Sequence, residues 1–244
     1  MGSEPTKERP VLFSDAMVRA ILAGTKTQTR RLVKPQPIRV PNWSAAGKDG
    51  LRFGTGKNEQ TIAEHCLDRY LRRGHPALTD LCPFDADRLW VRECWRPFME
   101  AWDCGFEYRT DGGRRSVPDR DRIGAFPKLS LRFPGARKDR HSDAWRPSIH
   151  MPRWASRLSL SIAAIRVERL QDISEADAKA EGTTTDPRPG LVNGEPATLY
   201  PMTHRQAFVW LWNSINSDDG EGSGARAWGA NPWVWVVSFE VNRG

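Results

Sequence analysis

Apolar residues in this chain fall into short separated clusters, and the spacing inside each cluster distinguishes helix from strand. Met17, Val18, Ile21 and Leu22 recur at helical spacing behind Ser14, a natural N-cap, and Asp15, an acid suited to a helix start; Gly24 ends the pattern. The stretch Asp87 to Trp95 alternates instead. Leu89, Val91 and Glu93 fall on one face and Trp90, Arg92 and Cys94 on the other, which predicts a strand with an acid on its interior side. A long strand region follows over 157–170. Ser174 then caps a second helix, with Asp177 three residues on completing an approximate capping box and Gly182 closing it. From His204 to Asn216, Phe208, Val209, Leu211 and Trp212 repeat helically, and Pro232 to Glu240 is β-branched and aromatic, the signature of a last strand.

Between these clusters the chain turns polar. Pro35 and Pro37 stop regular structure, Gly, Asn and Lys dominate about 41–60 as a loop, and about 61–70 suits a short helix. Charges and prolines crowd about 110–144 without periodicity, the pattern of a surface excursion, and about 183–201 reads as a loop. No internal repeat and no Gly-rich phosphate loop is present. The order of elements predicts an α+β protein built on a small β-barrel flanked by helices. It forms one domain over about 11–242, interrupted by polar insertions at about 41–80 and 111–144 and preceded by a flexible tail at 1–10.

The 244 residues suffice for one well-buried core with insertions. Hydrophobic residues make up 39%, mean hydropathy is −0.62, and no apolar run approaches the roughly 20 residues that span a bilayer. The N-terminus MGSEPTKERP lacks the apolar segment of an export signal, so a soluble cytoplasmic protein is expected, with no membrane partner. A net charge of +7, carried by 29 Arg and 8 Lys, favours anionic partners, although a GC-rich genome would also enrich arginine codons. Cys66, Cys82, Cys94 and Cys104 form no CxxC pair and read as reduced thiols. His65, Cys66, His75 and Cys82 match no usual zinc spacing, so neither a metal nor an organic cofactor is expected.

The chemistry concentrates in Gly24-Thr-Lys26-Thr-Gln28-Thr29-Arg-Arg31, three cations and three hydroxyls within eight residues at a helix exit. Its spacing Gly-x-Lys-x-x-x-x-Arg resembles the signature of the ASCH family, whose fold is related to the PUA domain. The likeness extends to Phe13-Ser14 and its helix, Lys34-Pro-Gln-Pro37, Asp87-Arg-Leu-Trp-Val-Arg-Glu93, Ile149 to Ser156, the turn and helix from Leu170, and the closing Trp-Val-Trp-Val. Together these span roughly half to two thirds of the chain and look most like the version common in phage and prophage genomes. Ala86-Asp87 stands where family members usually carry Gly-Asp.

The resemblance implies a protein that recognises a nucleobase, a nucleoside or single-stranded RNA. One bacterial branch of the family hydrolyses the N4-acyl amide of modified cytidine with a Lys, a Thr three residues on and a Glu. Those roles fall on Lys26, Thr29 and Glu181: Thr29 as nucleophile, Lys26 as its base and Glu181 as proton shuttle. Gly24, Arg31, Glu93 and Trp154 are candidate binding residues. A non-catalytic RNA-binding module and a single-stranded RNA ribonuclease are the alternatives.

Physical chemistry supports part of this. A threonine hydroxyl needs a neighbouring base, and Lys26 serves only when neutral, which burial and the adjacent Arg30 and Arg31 favour. Gly24 lets a ligand approach the backbone, and Arg31 suits a carbonyl, phosphate or oxyanion. A carboxylate at position 181 faces the negative end of its helix, an unfavourable place for its charge that suits a proton shuttle. Regular strand alternation, however, points Lys26 and Thr29 to opposite faces, so the catalytic pair calls for a turn or bulge. Without that, Thr25, Thr27 and Thr29 are strand formers and Lys26 is solvated. Of the eleven tryptophans, Trp233 and Trp235 belong to the core, whereas Trp154, near His150, suits base stacking or a cleft wall. Oligomeric state leaves no mark in the sequence.

Overall fold

The computed structural model describes residues 6–42, 49–53, 60–63, 82–84, 86–100, 103–116, 144–186, 188–192, 195–199, 203–218, 220 and 222–243. In chain order the elements are β1 (Glu8–Leu12), α1 (Asp15–Leu22), β2 (Gln28–Leu32), β3 (Ile38–Val40), β4 (Gly50–Phe53), β5 (Gln60–Ala63), β6 (Arg88–Arg92), β7 (Trp95–Glu100), β8 (Asp103–Tyr108) and β9 (Arg114–Ser116). They continue with β10 (Leu158–Arg169), α2 (Glu175–Ala180), β11 (Arg188–Val192), β12 (Glu195–Leu199), α3 (His204–Asn216) and β13 (Trp233–Arg243). The protein is mixed α+β. Its strands lie in open sheets, and among the described residues none closes into the small barrel that the sequence predicts. Among them, too, no helix is long and apolar enough to cross a membrane.

The chain divides into two compact units, the first comprising Met1–Leu22, Arg88–Leu160 and Val241–Gly244. Here β1 runs parallel to β6, with Glu8 opposite Arg88 and Leu12 opposite Arg92, so a strand occupies part of the stretch expected to be a flexible tail. Strands β7, β8 and β9 form an antiparallel meander. Alternation sends Trp95, Phe106 and Tyr108 into a core with Met151 and Ala155, and the Trp95 and Phe106 rings meet edge to face at 5.6 Å. The Tyr108 hydroxyl donates to the Ala155 carbonyl at 2.7 Å, which satisfies the one polar atom that this ring brings inside. Helix α1 buries Val18 and Ile21 completely, the stripe read from the sequence.

The second unit comprises Ala23–Asp87 and Ser161–Glu240. Its frame is β13, flanked by β10 and β2. β2 pairs antiparallel with it from Gln28 opposite Ser238 to Leu32 opposite Val234, and the Phe239 amide extends the ladder to the Thr27 carbonyl at 2.9 Å. Residues 233–237 of β13 are all buried, as a strand covered on both faces requires. Against it pack Leu170, Ile173, Ala178, Phe208 and Trp212 with Val234 and Val236, which fixes both helices on the sheet. The Ser174 hydroxyl accepts from the Asp177 amide at 3.0 Å, the cap that the sequence predicts. The Glu175 carboxylate in turn accepts from the His204 and Arg205 amides, joining the start of α3 to α2.

Two stretches expected as loops carry strands. β3, β4 and β5 form an antiparallel meander because Leu51, Phe53 and Ile62 bury themselves, so a strand occupies residues 60–63 where the expected helix would begin. β11 and β12 form a hairpin within 183–201. The remainder of the expected helix, most of the 111–144 excursion, and His65, Cys66 and His75 lie outside the described residues.

The packing of α3 on β13 yields the first prediction. Trp212→Ala removes the largest side chain of that core and its indole hydrogen bond to the Arg226 carbonyl, and it should cost about 3–5 kcal/mol in urea unfolding. A loss under about 1 kcal/mol would contradict the burial described.

Candidate functional site

Lys26 lies at the junction where the chain leaves α1 and enters β2. Gly24 makes that junction possible by adopting φ +75°, a conformation that glycine takes without strain. A Cβ there would meet nothing within 4 Å, so conformational freedom rather than close approach explains this glycine. Lys26 then forms a single antiparallel bridge with Glu181, and the Thr27 amide donates to the Ala180 carbonyl at 2.9 Å. These bonds bring the C-terminal end of α2 against the entry to β2.

The Lys26 side chain is completely buried. Its Nζ donates to Glu181 Oε2 at 2.8 Å, to the Glu181 carbonyl at 2.8 Å and to the Gln28 carbonyl at 2.9 Å. An ammonium carries three N–H donors, so these three oxygens match its capacity. Glu181 is the C-cap residue of α2, where its carboxylate sits among carbonyls carrying partial negative charge. Lys26 resolves that conflict by binding the carboxylate and the cap carbonyl together. Burial holds the Lys26 amine below the ordinary lysine value; Arg31 and Arg30 push it the same way, and Glu181 opposes them.

Arg30 completes the cluster. Its Nη1 donates to Glu181 Oε1 at 3.2 Å and to Gln28 Oε1 at 2.7 Å, while Nε and Nη2 both reach Glu168 Oε1. Asp177 Oδ2 lies 3.5 Å from Nη2, and the guanidinium carbon sits 5.8 Å from the centre of the Phe208 ring. Arg166 closes the outer end by binding Glu168 at 2.9 Å and Asp177 at 3.2 Å. Charges therefore alternate from buried Lys26 through Glu181, Arg30 and the Glu168 and Asp177 pair to Arg166. Burial opposes ionisation of Asp177, yet the Ser174 hydroxyl and the Arg166 charge together hold its carboxyl below the ordinary value.

Residues 27–32 keep regular register with β13, so no bulge intervenes. Alternation places Lys26, Gln28 and Arg30 on one face and Thr29 and Arg31 on the other. Thr29 is 2% exposed and opposite Val237, and among the described residues no hydrogen bond holds its hydroxyl. The Lys26 amine nevertheless lies against the Gln28 carbonyl, part of the peptide unit joining Gln28 to Thr29. Arg31 is partly buried. Burial pushes its guanidinium below the ordinary value, and the Glu181 charge counteracts this.

Glu93 and Trp154 belong to the first unit. Glu93 does face the interior, at 1% exposure, but both its oxygens are engaged by Arg157 at 2.9 and 2.8 Å. The same guanidinium binds both Asp111 oxygens at 2.9 Å and lies 4.1 Å from the centre of the Tyr108 ring. Burial disfavours the Arg157 charge, yet Glu93 and Asp111 outweigh it and raise its pKa, while burial pushes the Tyr108 hydroxyl up to about 12. Glu93 is thus one jaw of an arginine clamp that joins the residue after β6 to Arg157 and Asp111, all within the first unit. Trp154 is 41% exposed, with its ring centre 5.0 Å from that of Phe106, and the neighbouring Arg153 pairs with Glu8 at 2.6 Å.

In the sequence Arg30 reads only as a neighbouring charge, and no local pattern joins Glu168, Asp177 or Arg166 to it. The period-two spacing of Lys26, Gln28 and Arg30 was the signal that could have found Arg30. Among the described residues no three His, Cys, Asp or Glu side chains group to hold a metal ion. No family model, curated protein or solved structure matches this chain.

A buried ion pair broken on one side leaves an uncompensated charge. Lys26→Met should therefore lower stability by about 3–5 kcal/mol in chemical denaturation at neutral pH. A change below about 1 kcal/mol would mean that Lys26 is not buried against Glu181.

Proposed function

We propose that this chain is an ASCH-type protein of PUA-like ancestry that acts in the cytosol on a nucleobase or nucleoside, hydrolysing the N4-acyl amide of modified cytidine. One observation carries the reading: Lys26 and Glu181, the residues to which the resemblance assigns base and proton shuttle, meet at 2.8 Å with Lys26 completely buried. They are remote in sequence. Ionisable pairs buried at such cost concentrate at sites of function.

In this mechanism Lys26 passes a proton to Glu181 Oε2, and the neutral amine takes the proton of the Thr29 hydroxyl. The Thr29 oxygen adds to the acyl carbon. The C–N bond breaks as the exocyclic nitrogen takes the proton from Glu181, releasing cytidine and leaving an acyl ester on Thr29. Water then hydrolyses the ester to the carboxylic acid and restores the hydroxyl. The depressed lysine pKa supports the first step, because it brings the two protonation states of the pair closer in energy. Reaching Thr29 requires the amine to leave the Gln28 carbonyl, one of its three acceptors.

The saturated ammonium and the opposite-face placement of Thr29 favour a second reading, a non-catalytic RNA-binding module. Incubation with N4-acetylcytidine, followed by chromatography, separates the two. Cytidine and acetate should appear, Thr29→Ala should abolish turnover, and Lys26→Met should lower it roughly 10²–10⁴-fold. The reactive pair keeps one proton, shifted from Lys26 to Glu181, so turnover should fall as the pH rises through the midpoint at which the pair loses it, a midpoint below the ordinary lysine value. Salt-sensitive binding of labelled single-stranded RNA without deacylation would favour the second reading, and RNA fragments would indicate a ribonuclease.

A further inference from the structure

We infer that Arg30 is a positioning residue for this site: it grips Glu181 by Oε1 and thereby presents Oε2 to Lys26. This rests on the reading that Lys26 and Glu181 exchange a proton. The resemblance assigns no role to position 30, whose place in the cluster follows from contacts alone.

Three features single it out. Arg30 has no exposed side-chain surface, yet every element around it holds it: Gln28 from β2, Glu168 from β10, Glu181 and Asp177 from the α2 region, and the Phe208 ring of α3. A guanidinium fixed in so many directions has few rotamers left and acts as a rigid fork. It also binds Glu181 Oε1 while Lys26 binds Oε2, so the two cations divide the carboxylate between them. A carboxylate without Arg30 would be free to rotate and offer both oxygens to the ammonium. Finally, Glu168 and Asp177 offset the Arg30 charge, so the fork pins Glu181 without leaving an unbalanced cation beside Lys26.

The geometry has a consequence for Lys26. Arg30 contributes repulsion that disfavours the ammonium, and it competes for the carboxylate that favours it. Removing Arg30 strengthens the hold of Glu181 on the Lys26 proton in both ways. The charged groups facing Lys26 are Glu181, Arg30 and Arg31, and those facing Arg30 are Glu181, Glu168 and Asp177.

The test compares wild type, Arg30→Met and Arg30→Lys by two readouts. One is the pH profile of N4-acetylcytidine deacylation. The other is a ¹³C NMR titration of the Lys26 ε-carbon in lysine-labelled full-length protein, with the signal assigned through Lys26→Arg. Arg30→Met should lower kcat at least about 10-fold and move both midpoints upward by about 1 pH unit, the size of effect expected from a neighbouring charge. Arg30→Lys, which keeps the charge and loses the fork, should fall between, and it carries the test should Arg30→Met fail to fold. Unchanged midpoints in the folded variants overturn the inference and leave Arg30 a packing residue. If wild type does not deacylate while the NMR midpoint still moves, the functional reading fails and the control of Lys26 through Glu181 stands.

Discussion

A lysine ammonium with no exposed surface is the constraint around which the second unit is arranged. Such a charge is tolerated only where its three donors find oxygens and a counter-charge lies within contact. The chain supplies these by ending α2 at Glu181 and laying that end against the entry to β2. The requirement propagates outward. Glu181 needs both oxygens satisfied and recruits Arg30, and Arg30 needs balancing acids and finds Glu168 on β10 and Asp177 on α2. The cluster thereby ties together the same elements that Val234, Val236, Phe208 and Trp212 join through apolar packing.

The first unit solves a comparable problem differently. Arg157 lies between Glu93 and Asp111 with its guanidinium over Tyr108, so a two-acid clamp neutralises a half-buried cation. Each of the three nitrogens of that fork donates to one of the two acids, which makes the clamp an internal brace. At the Lys26 cluster an amine and a carboxylate meet at 2.8 Å instead, and the proposed mechanism moves a proton between them.

The elements that bury a continuous stripe were legible in the sequence. α1, α3, β10 and β13 follow from periodicity, and α2 was read from Ser174 and Gly182. The missed strands are short and set among Gly, Pro, Asn and Lys; in β4 only Leu51 and Phe53 alternate, too brief a signal to outweigh its surroundings. A closed barrel depends on pairing between distant strands, which local pattern does not encode. At the site, Glu181 was reachable through helix register, whereas Arg30, Glu168 and Asp177 were not, because their meeting is decided by how α2 and β10 stand beside β2. Glu93 was correctly read as facing inward, but its partner Arg157 comes from a distant stretch of the chain and turned a candidate ligand into a brace.

The proposed proton exchange makes Lys26 and Glu181 one catalytic unit. A mutant cycle on kcat/KM for N4-acetylcytidine, using Lys26→Met, Glu181→Gln and the double variant, tests it most directly. Groups that act jointly lose nearly everything with the first change, so the account predicts a double variant no slower than the slower single variant. Losses that simply multiply would show the two residues acting independently and would contradict it.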